Sequence, residues 1–220
     1  MRSNRHNSHE DVVFKNYLIQ RFGGQKWCLV ADVDEFLHFP INASLKQSLS
    51  YLNRNGYDAV CTQMLDMLSP SGIALSPRHR VWTRDELALV FSYYDLSDLT
   101  RRPYVRSFQP YIPPGLKFLW GGIRKTILNR NCFLTKEALF FAYGNNPFSI
   151  LGGQRCFESS HLLLSHPLRR VKLADFSAVF LHYKFIDDFY ASTSKAGKAE
   201  NHWNKSQEYK AYYHVLHRKQ

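Results

Sequence analysis

The stretch Trp27-Cys28-Leu29-Val30-Ala31-Asp32-Val33-Asp34-Glu35-Phe36-Leu37 constrains this chain more than any other. An apolar run breaks into three carboxylates within four positions, and apolar residues then resume. A short apolar run closed by polar residues suits a strand buried on both faces, as in a parallel sheet. Side chains alternate along a strand, so Asp32 and Asp34 are expected on one side if the strand stays extended to its end. Carboxylates at the lip of an apolar strand repel each other and cost solvation. A divalent cation removes both penalties, and hard oxygen ligands suit Mg²⁺ or Mn²⁺. Ligands in open α/β sheets bind outside the carboxyl ends of the strands, where these residues are expected.

An Asp-x-Asp triplet also occurs in solvated turns. The strand before it and Glu35-Phe36-Leu37 after it bring a metal site level with a solvated turn as readings of the triplet. Glu35 is either a further ligand, a partner of the ligands or a salt-bridged surface group. Two other metal-dependent classes fit less well. A haloacid-dehalogenase-type phosphatase follows its aspartates with Gly or Thr, where this chain has Glu35-Phe36. A nucleotidyltransferase wants a Gly-Ser-type turn before its carboxylates, which Leu29-Val30-Ala31 does not supply. Metal-dependent group transfer is the better fit.

With 220 residues and 45% hydrophobic content, the chain can bury a sizeable core in a single domain. The 16 Phe and 13 Tyr argue against disorder. A net charge of +11 predicts attraction to phosphate, on a nucleotide, a nucleic acid or an anionic membrane. No apolar run approaches the roughly 20 residues needed to cross a bilayer, and Met1 to His9 lack the apolar region of a signal peptide. Cys28, Cys61, Cys132 and Cys156 form no C-x-x-C pair, so reduced thiols in a cytoplasmic protein are expected and a zinc site is not.

Pattern along the chain is α/β. A helix is expected from His9 to Phe22, stopped by Gly23-Gly24, and a second from Ser44 through Leu52 to Gly56. Tyr57 to Leu68 reads as a strand. Residues 69–114, punctuated by seven prolines and glycines, read as a loop-rich excursion within the domain. Regular pattern returns at 120–128, 157–164 and 176–185, and 187–217 is helical in period. Trp120-Gly121-Gly122-Ile123-Arg124-Lys125 joins glycines, which allow close backbone approach, to cations that suit phosphate; a bulged strand with solvated basic residues is the plainer alternative. Glu158 and His161 offer a general base. His182, alone in an apolar strand, is either a satisfied core histidine or a metal ligand delivered to the carboxylates.

The ordered strings "WCLVADVDEFLHFP", "WGGIRKTIL", "FESSHLLLS", "FLHYKFIDDF" and "HWNKSQEYKAYY" resemble the family 2-type glycosyltransferases of bacterial surface-polysaccharide pathways, from about Trp27 to the end. The resemblance implies a GT-A fold and transfer of a sugar from a nucleotide-sugar donor to a saccharide or glycolipid acceptor, with inversion. By position it assigns Asp32 and Asp34 to metal and donor phosphate, and His182 to the metal, with Mn²⁺ or Mg²⁺ as cofactor. Arg124 and Lys125 are expected on donor phosphates. Glu158 and His161 are the base candidates, with Asp187 a third. Family members begin with strand–helix units that hold the nucleotide, whereas one helix precedes the carboxylates here. The expectation is therefore a partial GT-A mixed sheet, the C-terminal portion of a longer catalytic domain, with an exposed edge that favours self-association into a homodimer. A cytoplasmic location peripheral to the inner face of the membrane follows. The competing classes are a basic nucleic-acid-binding module and a non-catalytic remnant of the fold. Against the former, the aromatics lie inside apolar runs instead of interleaving with Lys and Arg, so no nucleic-acid partner is expected.

Overall fold

The protein is described by a computed structural model covering residues 8–39, 43–73, 81–96, 99–103, 113, 115–132, 134–143, 172–186 and 188–217. In chain order the elements are α1 (Ser8–Phe22), β1 (Lys26–Leu29), β2 (Glu35–His38), α2 (Leu45–Arg54), β3 (Ala59–Leu68), α3 (Arg84–Val90), β4 (Tyr93–Tyr94), β5 (Thr100–Pro103), β6 (Lys117–Trp120), α4 (Gly122–Leu128), β7 (Thr135–Ala142), β8 (Leu173–His182), α5 (Phe189–Ala199) and α6 (Trp203–His217). The class is α/β with a mixed sheet.

The main sheet runs β1-β7-β3-β8-β2, with β4 added beside β3 and a separate β5-β6 ribbon. At its centre β3 and β8 are parallel, while β1–β7, β7–β3 and β8–β2 are antiparallel. The apolar run Ala59–Leu68 makes β3 the natural centre, because strands covered on both faces read as near-continuous hydrophobic sequence.

The chain passes from β1 to β2, from one edge of this sheet to the other, through residues 30–34 alone. Four strand spacings of about 4.8 Å in a flat sheet would need nearly the full reach of so short a link. The link also contains a turn, with the Glu35 amide donating to the Asp32 carbonyl at 3.1 Å. The sheet therefore curls, and its two edges approach each other near the carboxylates. Contact between Glu35 on β2 and Lys136 on β7 closes the curl.

Among the described residues, four apolar clusters hold the layers. α2 packs Leu49 and Leu52 with Val60, Leu139 and Ala174. The inside of the curl carries Met64, Leu134, Ala138 and Phe180. On the other face α3 brings Leu87 and its C-cap Phe91 against Met67 and Tyr183. Phe185, Phe189, Tyr212 and Leu216 join α5 and α6 to the α4 residues Ile123 and Ile127. Both capped helices start as their sequences dictate. Ser44 with Gln47 and Thr83 with Glu86 form reciprocal capping boxes.

Two sequence expectations need correction. The carboxylate strand is not buried on both faces: β1 is an edge strand with exposed ends, paired among the described residues with β7, and it stops at Leu29. Within the loop-rich residues 69–114 the described segments include α3, β4 and β5. The Gly-Gly segment is not a bulged strand. Gly121 and Gly122 have φ of 97° and 60°, and they turn the chain from β6 into helix α4. Only glycine enters that conformation without strain. The expected helices α1 and α2 and the helical C-terminus are present within a residue or two of their sequence limits.

Candidate metal centre

The site is built on a row of register partners. Glu35 at the start of β2 lies opposite His182 at the end of β8, and His182 lies opposite Asp66 on β3. Directly opposite residues share a face, so the ladder itself brings the three side chains together. The row lies at the carboxyl ends of the two parallel strands. Asp34 joins from the turn just before β2, where its carbonyl accepts the Tyr183 amide at 2.9 Å.

Asp34, Glu35 and His182 each offer a ligand atom, all within 4.8 Å of one another. His182 Nε2 stands 3.4 Å from Asp34 Oδ2. On the other side of the ring, Nδ1 lies 2.5 Å from Asp66 Oδ1. Arg124, projecting from α4, donates from Nε to Asp66 Oδ2 at 2.8 Å and from Nη2 to Oδ1 at 2.9 Å. Glu35 forms an ion pair with Lys136 through both oxygens and also accepts the Asp32 amide at 3.0 Å. The Lys136 ammonium in turn sits 4.9 Å from the centre of the Phe180 ring.

Electrostatics single out one carboxylate. Asp32 is matched by Lys15, Glu35 by Lys136, Asp66 by Arg124 and Glu208 by Lys184. Among the described residues the ion-pair partner of Asp34 is the imidazole of His182. Burial alone would raise the Asp34 carboxyl, but the hydrogen bond and charge of His182 outweigh it and hold the acid below its ordinary range. Burial would likewise lower His182, yet its bonds to Asp34 and Asp66 win and raise it. Asp66 is fully buried and would be pushed up, but Arg124 and His182 hold it well below the carboxylate range. Beside the row, burial lowers Lys184, whereas Glu208, despite its own burial, is held at about 2, chiefly by Lys184 and Arg124.

The residues singled out from sequence fare unequally. Asp34 and His182 lie side by side, and His182 is a buried histidine whose Nδ1 meets Asp66 while its Nε2 faces Asp34. Glu35 joins them. Asp32 does not. The chain turns at Asp32 instead of continuing as a strand, and its carboxylate faces Lys15 of α1 at 2.7 Å. Arg124 is not poised for phosphate either. It is buried, and its fork is committed to Asp66. Lys125 follows it on α4, about 100° further round the helix, and is half-buried. Glu158, His161 and Asp187 lie outside the described residues.

Sequence reasoning missed Asp66, Lys136 and the Lys184–Glu208 pair. Asp66 had a signal: it is the one charge in the strand Ala59–Leu68, and a buried acid demands a partner. Lys136, in the short strand Thr135–Ala142, had none, because its partner lies about a hundred residues earlier.

Comparison with known proteins finds no matching family model, no matching curated protein and no matching solved structure.

Proposed function

We propose that this chain takes part in metal-dependent transfer of a sugar from a nucleotide-sugar donor to an acceptor hydroxyl, on a GT-A-type sheet. The observation that carries the reading is the convergence of Asp34, Glu35 and His182 at the carboxyl ends of parallel strands β3 and β8. These residues come from two of the strings on which the glycosyltransferase resemblance rests. Two carboxylates and one imidazole suit Mn²⁺, which accepts nitrogen more readily than Mg²⁺ does.

Asp34 and the Nε2 of His182 would hold the ion, with Glu35 reaching it from its pair with Lys136. A bound ion supplies Lewis-acid stabilisation of the departing nucleoside diphosphate. Lys136, paired with Glu35, and Arg124, paired with Asp66, keep the ligands in place. Asp32, tied to Lys15, fixes the turn that presents Asp34. Inversion at the anomeric carbon follows from the family resemblance, and Glu158 and His161, a carboxylate and an imidazole, are the base candidates.

The test is calorimetric binding of a nucleoside diphosphate with and without Mn²⁺. Binding that requires Mn²⁺ and disappears in Asp34→Ala is expected. Tight, metal-independent binding of oligonucleotides with steep salt dependence, and none of a nucleoside diphosphate, overturns the reading in favour of a nucleic-acid module.

A further inference from the structure

The geometry points to Asp66 as the residue that positions His182, accepting the Nδ1 proton of the imidazole so that the bare Nε2 is turned toward Asp34, ready for a divalent cation. This inference rests on the metal-binding reading of the Asp34–Glu35–His182 cluster and adds a residue that the cluster itself does not contain.

Charged, the imidazole donates from both nitrogens, toward Asp34 and Asp66; neutral, as a metal ligand must be, it has two tautomers to choose between. Asp66 Oδ1 lies 2.5 Å from Nδ1, while Arg124 Nη2 lies 3.1 Å from the same atom. A guanidinium only donates, so a contact with Arg124 would want Nδ1 bare and the proton on Nε2. An ionised carboxylate only accepts, so the contact with Asp66 wants the proton on Nδ1. Two bare acceptors 2.5 Å apart would repel strongly where no water intervenes, and Asp66 and His182 are 5% exposed each. The shorter contact, between a buried anion and an N–H, decides the tautomer. Arg124 then serves Asp66: its two bonds keep the carboxylate ionised and oriented.

The opposite nitrogen shows the consequence. With the proton on Nδ1, the neutral ring presents a lone pair to Asp34 Oδ2 at 3.4 Å. That is longer than a charge-assisted hydrogen bond of about 2.8 Å. It is close to the spacing of about 3.0 Å between neighbouring ligands that each sit about 2.1 Å from one octahedral ion. A proton or a cation between the two atoms relieves the repulsion, and a cation satisfies both at nearly their present separation. Asp66 and His182 are register partners on adjacent parallel strands, so the orienting contact is set by the backbone ladder. Carboxylate partners of this kind orient metal-binding histidines and raise their basicity.

The experiment reads the imidazole directly. Nitrogen-15 NMR of the wild-type protein without metal, at a pH where the ring is neutral, is expected to show His182 protonated on Nδ1. Mn²⁺ titration by calorimetry then compares wild type with Asp66→Asn, whose amide can donate to Nδ1 and move the proton to Nε2. An affinity about 10–100-fold weaker in the variant, with the proton moved, is expected. Equal Mn²⁺ affinity in the two proteins overturns the positioning role alone. A wild-type protein that binds no Mn²⁺ overturns the metal reading, which is a different failure. Should Asp66→Asn not fold, the wild-type spectrum still decides, because a bare Nδ1 there overturns the inference.

Discussion

The Lys15 ammonium meets the Asp32 carboxylate at 2.7 Å, so that α1 holds the turn from which Asp34 projects. The pair also draws Asp32 away from His182, and it splits the Asp-x-Asp triplet between two tasks. Asp34→Ala is therefore expected to abolish the rise in melting temperature that Mn²⁺ gives the wild type, since a ligand stabilises only the state that binds it. Asp32→Ala is expected to keep that rise, at a stability cost within about 1 kcal/mol, as usual for a part-exposed ion pair. Thermal melts of the three proteins with and without Mn²⁺ check this, and an equal loss in both variants would restore Asp32 to the ligand set.

How far the sequence exposes this arrangement depends on the range of the interactions. Capping boxes at Ser44 and Thr83 are local; the first is legible as a helix start, and the second is masked by the proline-rich stretch around it. The apolar run of β3 and the lone His182 of β8 were legible because burial leaves a periodic trace. The order β1-β7-β3-β8-β2 was not, because pairing partners are set by contacts far apart in the chain. Reading the apolar run before Asp32 as a strand buried on both faces fails for this reason. An apolar edge strand and an apolar central strand read alike over four residues, and only the neighbours tell them apart. The Asp66 contact of Arg124 is hidden for a related reason: a cation beside two glycines suits a phosphate, yet Asp66 lies 58 positions earlier.

Arg124→Ala separates the two roles considered for this residue. Removing it leaves Asp66 buried and ionised without its cation. Breaking one side of a buried pair costs about 3–5 kcal/mol. A large drop in urea stability of the metal-free protein is expected, with loss of ligand binding only as a consequence. A variant that keeps wild-type stability and loses only diphosphate affinity would return Arg124 to the phosphate-binding role.

The raised pKa of His182 gives a pH dependence whose sign can be worked out. The folded state holds the proton more tightly than the unfolded chain, whose histidine titrates near 6.5. The resulting stabilisation is fully present below about pH 6.5 and is lost as pH rises through the folded value. Mn²⁺ needs the deprotonated Nε2, so its affinity runs the other way and grows over the same interval. Melting temperatures across this window, with and without Mn²⁺, should diverge as pH increases. A constant Mn²⁺ shift across it would remove His182 from the ligands.

Glu35 and Lys136 offer a test in which stability and metal binding move independently. Both side chains are buried, and the pair spans the curl from β2 to β7. Lys136→Met leaves an unpaired buried carboxylate, so a loss of about 3–5 kcal/mol is expected. The double variant Glu35→Leu with Lys136→Met removes both charges and fills the space with apolar atoms beside Phe180. Replacing a buried pair by packed hydrophobic residues is commonly neutral or stabilising, so the double variant should recover most of the lost stability. Mn²⁺ affinity should not recover with it, because one of the three ligand atoms is gone. Urea unfolding and Mn²⁺ calorimetry on wild type, Lys136→Met and the double variant would read both quantities. If the double variant binds Mn²⁺ as tightly as wild type, Glu35 serves only to hold the sheet closed, and the ion depends on Asp34 and His182.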